Sequence, residues 1–157
     1  MSVKQVVRQH YQAMVDLTRG STIRIPAEGW IRTVRKALGM SGAQLARRMG
    51  VTRARIAQAE QAELEGGITL KSMQATAEAM GCRFVYAFVP PDTIETLIIA
   101  QARRKAEAIV ATASKHMALE DQTVTGRRTG QEVIRLTNEL IHDMPPDFWK
   151  DNFRQDK

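Results

Sequence analysis

The residues best equipped for chemistry stand together in SGAQLARRMGVTRARIAQAE, from Ser41 to Glu60. Helical spacing after Thr52 turns Arg53, Ala54, Ala57, Gln58 and Gln61 to one face and Ile56 and Ala59 to the other. An arginine fork matches the major-groove edge of guanine, a glutamine amide that of adenine, and an alanine methyl that of thymine. Two short helices joined by a tight turn, the second with arginines on its open face, form the pattern of a helix-turn-helix. The second helix of that motif enters the DNA major groove.

No other constellation competes with this one. His10, His116 and His142 are far apart and lack metal-ligand spacing. Cys82 stands alone and reads as a buried, inert thiol. Gly66-Gly67 fits a loop between helices, not a phosphate cradle. The expectation is a protein that is not an enzyme, with no catalytic residue, no metal and no cofactor.

Local signals build the elements that position the motif. Ser41 is an N-cap, and Gln44 completes a capping box over the helix Gly42 to Met49, which should bury Leu45, Ala46 and Met49. Gly50 accepts the left-handed backbone of a sharp turn, and Thr52 caps the next helix. Ahead of the motif, Trp30, Ile31, Val34 and Leu38 lie at helical spacing. Behind it, Thr69 caps a helix with Leu70, Met73, Ala77 and Met80 as its apolar stripe.

The flanks predict a further architecture. Residues 3–18 read as a helix with Val3, Val7, Met14 and Leu17 on one stripe. Residues 20–28 read as an arm, which either lies along DNA with Arg19 and Arg24 or packs on the core. CRFVYAFVP reads as a strand at 82–89, with Phe84, Tyr86 and Phe88 on one side. A lone strand needs pairing: with the same strand of a second chain, with a partner protein, or with a local strand near Thr22–Ile25. A long helix over 93–119 carries Ile94, Leu97, Ile98, Ala102, Ile109, Ala113 and Met117, with Arg103, Arg104 and Lys105 on a solvated side. After a polar loop at 123–128, Thr129 and Glu132 form a capping box that opens a last helix, with Val133, Leu136, Leu140 and Ile141. Phe148, Trp149 and Phe153 in the tail either staple onto the core or contact a partner.

Composition bounds the class. The chain has 157 residues, 43 % of them hydrophobic, which allows a core. It has no apolar run near the ~18 residues of a membrane span. The start MSVKQVVRQHYQ lacks the apolar region of a secretory signal, and one cysteine allows no internal disulfide. A cytoplasmic protein without membrane association is expected. Residues 1–60 carry a net charge of +8 and residues 61–157 carry −2. The positive excess sits on the half with the motif, where it would attract a polyanion.

Residues 28–81 resemble the xenobiotic-response-element type of helix-turn-helix, the class of the phage repressors. The resemblance rests on Leu45-Ala46, Gly50-Val51-Thr52, Ile56, Glu60 and the helix from Thr69-Leu70 to Met80-Gly81. It implies base contacts from Arg53, Ala54 and Gln58, and phosphate contacts from Arg48, Thr52, Arg55 and Lys71. It also implies a structural ion pair between Glu60 and Arg35. Many members carry a glutamine that touches a base where this chain has Gly42, so Arg53 should carry more of the specificity.

A wider resemblance covers GWIRTVRKALGMSGAQLARRMGVT, GITLKSMQATAEAMGCRFVYAFVP and MALEDQ at 117–122. These segments look like the mobile mystery protein A family, whose members are typically encoded beside a Fic-domain partner. That pairing implies an antitoxin or cognate regulator. Fic-directed inhibitors often carry a Ser or Thr four residues before a Glu followed by Gly or Asn. Here Gln61 stands at that place before Glu65-Gly66.

The expected fold is mainly α: a phage-repressor-like helix-turn-helix bundle, one short strand paired across a dimer, and a C-terminal helical extension. Three regions follow: 1–27 as helix and arm, 28–81 for DNA binding, and 82–157 for dimerisation or partner binding. One motif makes too few base contacts for strong specificity, so a homodimer on a near-palindromic operator is expected, with half-sites about 34 Å apart. The expected function is a sequence-specific DNA-binding repressor that controls its own operon and acts as the antitoxin of a Fic-domain toxin. The alternatives are a protein-only inhibitor that uses the motif as scaffold, and a phage-type repressor without a toxin.

Overall fold

The computed structural model describes residues 2–119 and 126–150. The chain forms helices α1 (Val3–Asp16), α2 (Trp30–Ala37), α3 (Gly42–Met49), α4 (Arg53–Glu65), α5 (Leu70–Ala79), α6 (Ile94–Leu119) and α7 (Gly126–Asp143). Two compact units result, one of residues 21–87 and one of residues 1–20 with 88–157.

In the first unit, α2 to α5 close around Ile31, Leu45, Ala46, Ile56, Met73 and Met80. The caps do what their residue types dictate. Ser41 Oγ accepts from Gln44 N at 3.1 Å, and Gln44 Oε1 accepts from Ser41 N at 2.7 Å. Gly50 ends α3 at φ 68, ψ 30, a left-handed conformation that costs glycine nothing. Thr52 and Thr69 accept from Arg55 N and Ser72 N and so start α4 and α5. Ser41→Ala should cost about 1 kcal/mol, read as a lower denaturation midpoint at unchanged m-value.

Several expected stripes are rotated. Leu38 and Leu70 are exposed, and Thr76 takes the buried place on α5, its hydroxyl donating to Ser72 O at 2.8 Å. Cys82 is exposed, against the expectation of a buried thiol. Residues 82–90 run without helix or strand, and no strand is present among the described residues. A strand is defined by its ladder, and the stretch near Thr22–Ile25 does not supply one here. Phe84 is half-buried against the core, while Tyr86 and Phe88 face solvent.

In the second unit, α6 packs along α7 around Ile98, Ala102 and Phe148. The buried line of α6 runs Ile98, Gln101, Ala102, Ala106, Val110, so Leu97, Ile109 and Ala113 lie outside it. Gln101 is buried because its amide donates to Phe148 O at 2.9 Å and its carbonyl accepts from Arg104. Lys105 is not surface decoration: its side chain is 16 % exposed and bonds the Asp147 carboxylate at 3.0 Å. That contact holds the Asp147 carboxyl below the usual carboxylate range. α7 starts at Gly126, so Thr129 lies inside the helix instead of capping it. Phe148 staples into the core and Trp149 stays exposed, whereas Phe153, residues 120–122 and residues 123–125 lie outside the described residues. In helix α1, the expected apolar stripe of Val3, Val7, Met14 and the C-cap Leu17 faces solvent, as does Val6. The helix packs on α6, where Asp16 Oδ1 accepts from Ile94 N at 3.1 Å, and just past the end of α7 Arg8 Nη1 donates to Met144 Sδ at 2.9 Å.

Candidate nucleic-acid interface

The interface is built on α4. Its inner face carries Ile56, Ala59, Glu60 and Glu63, and its outer face carries Arg53, Ala54, Ala57, Gln58 and Gln61. Ile56 is fully buried and fixes the helix against α3, whose Leu45 and Ala46 are equally buried.

Glu60 is 4 % exposed and accepts from two arginines of α2. Arg35 Nε lies 2.8 Å and Nη2 2.7 Å from Oε1; Arg32 Nε lies 2.9 Å from Oε2. Arg35 Nη1 also donates to Met40 O at 3.0 Å, so one guanidinium ties α4, α2 and the loop ahead of α3. The hydrogen bond from Arg32 to Glu60 raises the arginine's pKa above its ordinary value.

One turn further, Glu63 accepts from the free amides that open α2. Trp30 N reaches Oε1 at 2.6 Å and Ile31 N reaches Oε2 at 3.0 Å. Helix α2 has no side-chain cap of its own because Gly29 stands at its N-cap position. Gly29 has φ 80 and ψ 163, a region open essentially to glycine alone. A Cβ there would meet Glu63 Oε2 at 2.8 Å. Gly29→Ala should therefore cost about 2 kcal/mol or more, combining backbone strain with displacement of the capping carboxylate. Chemical denaturation measures it.

The residues assigned to bases are free to meet them. Arg53, Ala54 and Gln58 are exposed on one surface, spaced as the first and second turns of α4. A Cβ at Gly42 would lie 3.9 Å from Arg53 Cγ, so a larger side chain there would lean on the Arg53 stem. Among the residues assigned to phosphates, Arg55 and Lys71 are exposed. Thr52 is exposed at the start of α4 with its oxygen engaged by Arg55 N at 3.2 Å, which leaves its hydroxyl proton to donate. Arg48 is partly committed: its Nε donates to Ala79 O at 2.6 Å and closes the end of α5, leaving the Nη groups for an anion.

Sequence reasoning missed Arg32 and Glu63. The signal for Glu63 was the uncapped start of α2, a helix N-terminus that needs an acceptor. The signal for Arg32 was weaker, since only the fold brings it to the second oxygen of Glu60.

Among the described residues, no helix is long and apolar enough to cross a membrane. No curated protein and no solved structure matches the chain. Residues 31–86 match the family described as helix-turn-helix. Together with the geometry of α2 to α5, this match shows that the chain carries a helix-turn-helix domain, the kind found in DNA-binding transcription regulators.

Proposed function

We propose that the chain is a sequence-specific transcriptional repressor that binds a near-palindromic operator in its own promoter as a homodimer. In this reading it is also the antitoxin, or cognate regulator, of a Fic-domain partner and works in the cytoplasm. The observation that carries the reading is the asymmetry of α4. Its inner face is fastened by Ile56, Glu60 and Glu63, while Arg53, Ala54 and Gln58 stand exposed on the outer one. Arg53 bonds guanine, Gln58 bonds adenine and Ala54 meets a thymine methyl. Arg48, Thr52, Arg55 and Lys71 hold the flanking phosphates.

Residues 82–89 form neither helix nor ladder among the described residues, and Tyr86 and Phe88 are exposed on them. That supports pairing with the same segment of a second chain, with Phe84, Tyr86 and Phe88 at the joint. The Fic partner is supported by the resemblance to mobile mystery protein A. The outward apolar stripe of α1 supports a protein-contacting role beside DNA binding.

Selection of binding sites from a random DNA pool by the purified chain, followed by footprinting, tests the proposal. The expected result is an enriched near-palindrome protected over two half-sites about 34 Å apart. Recovery of no sequence, or of a single asymmetric half-site, would overturn the operator reading. Failure to co-purify with a Fic-domain protein encoded beside it would overturn the partner reading alone.

A further inference from the structure

The helix-turn-helix unit contains a cavity of about 300 Å³ on the side formed by α2, α5, the arm and residues 82–85. Its walls are Trp30, Ile31 and Val34 of α2 with Met73, Ala77 and Met80 of α5. Ile31, Met73 and Met80 belong to the core, whereas Trp30 and Phe84 are only partly buried and present their remaining surface to the cavity. At its border, Ile23 is 68 % exposed and Val85 61 % exposed. Apolar surface of this extent left in water is a standing driving force for an apolar occupant. The volume lies at the lower end of small-ligand sites.

Among the described residues, Arg83 is the one charged residue that lines the cavity. It is exposed and forms no ion pair or hydrogen bond among the described residues. An apolar chamber beside one unpaired guanidinium selects an apolar body that ends in a carboxylate. We propose that this cavity binds a small apolar carboxylic acid, with its hydrocarbon against Trp30, Met73 and Met80 and its carboxylate on Arg83. The site is distinct from the outer face of α4 and does not depend on DNA.

The chain carries its own reporters. Cys82 is its single cysteine, is exposed and lines the cavity. Trp30 is the other reporter, isolated in a Trp149→Phe variant because Trp149 lies in the other unit. The full chain is titrated with hexanoate, octanoate and decanoate, and with decanol and decylamine as head-group controls. Cys82 alkylation by iodoacetamide and Trp30 emission are read.

Decanoate should slow the alkylation saturably and change Trp30 emission over the same concentration range. Affinity should rise about fourfold per methylene until the cavity is full. Decanol should bind about tenfold more weakly than decanoate, and decylamine more weakly still. Arg83→Gln should bring decanoate to the level of decanol. Ile23→Asp, at an exposed position on the border, should also weaken decanoate and is independent of any folding defect in a core variant.

Equal affinity for the three head groups, or undiminished decanoate binding in Arg83→Gln, would overturn the proposal. So would unprotected Cys82 at saturating decanoate. Decanoate binding that weakens as protein concentration rises would also overturn it, because a second copy would then compete for the cavity.

Discussion

Glu60→Ala is expected to cost about 3 kcal/mol, measured by urea or thermal unfolding. The loss comes from leaving two guanidiniums of α2 without their shared acceptor. The low end of the range for a broken buried pair applies, because the Arg32 side chain is 40 % exposed and can turn to water while that of Arg35 is 15 % exposed. Glu60→Gln should recover little, since an amide offers one acceptor where two donors wait and adds donors of its own. A paired Glu60→Met, Arg35→Met variant should recover much of the loss by replacing charge with packing. If Glu60→Ala unfolded within 0.5 kcal/mol of the parent, the ion cluster would have no structural role. The size of the effect matters against a total domain stability of about 5–15 kcal/mol.

Arg53→Ala is expected to remove sequence-specific binding without altering stability. One bidentate contact discriminates by about 1–3 kcal/mol, and a twofold dimer loses two of them. A loss of at least about 2 kcal/mol corresponds to roughly 30-fold weaker operator binding, with affinity for random DNA much less affected. Fluorescence anisotropy on both DNAs at fixed salt measures it. The same variant should still neutralise a Fic-domain partner in the proposed antitoxin role. Operator binding within threefold of the parent would move specificity away from Arg53.

Much of the helix-turn-helix was legible because its signals are local. Ser41 with Gln44, Gly50, Thr52 and Thr69 each act within one turn of their own position, and all of these caps form. The Arg35 to Glu60 contact followed from resemblance, and the structure adds Arg32 to the same carboxylate. What local pattern could not give was any partner supplied by another element. Glu63 caps a helix more than thirty residues away, and Gly29 is required by that carboxylate as much as by its own backbone. Gln101 reads as a polar interruption of α6 until Phe148 O stands before it. α1 inverts the usual rule, since its polar residues Arg8 and Asp16 bond the rest of the unit while Val3, Val6 and Val7 face solvent. Periodicity gives the existence of an apolar face and leaves open what covers it. The segment at 82–89 has strand chemistry, yet a ladder needs a second chain or segment that one sequence does not specify.

The inward carboxylates of α4 also shape the field that a nucleic acid would feel. Counted along its length, the helix from Arg53 to Glu65 is acidic by one charge, with two arginines against three glutamates. A DNA backbone would be repelled by such a helix if all five charges faced it. Glu60 and Glu63 instead spend their charge on Arg32, Arg35 and the positive end of α2. Only Glu65 remains exposed, at the far end and bonded to Gln61. The leading turn of α4 therefore presents Arg53 and Arg55 with their potential unopposed, so that an approaching polyanion is drawn to the end of the helix that carries the side chains proposed to read bases.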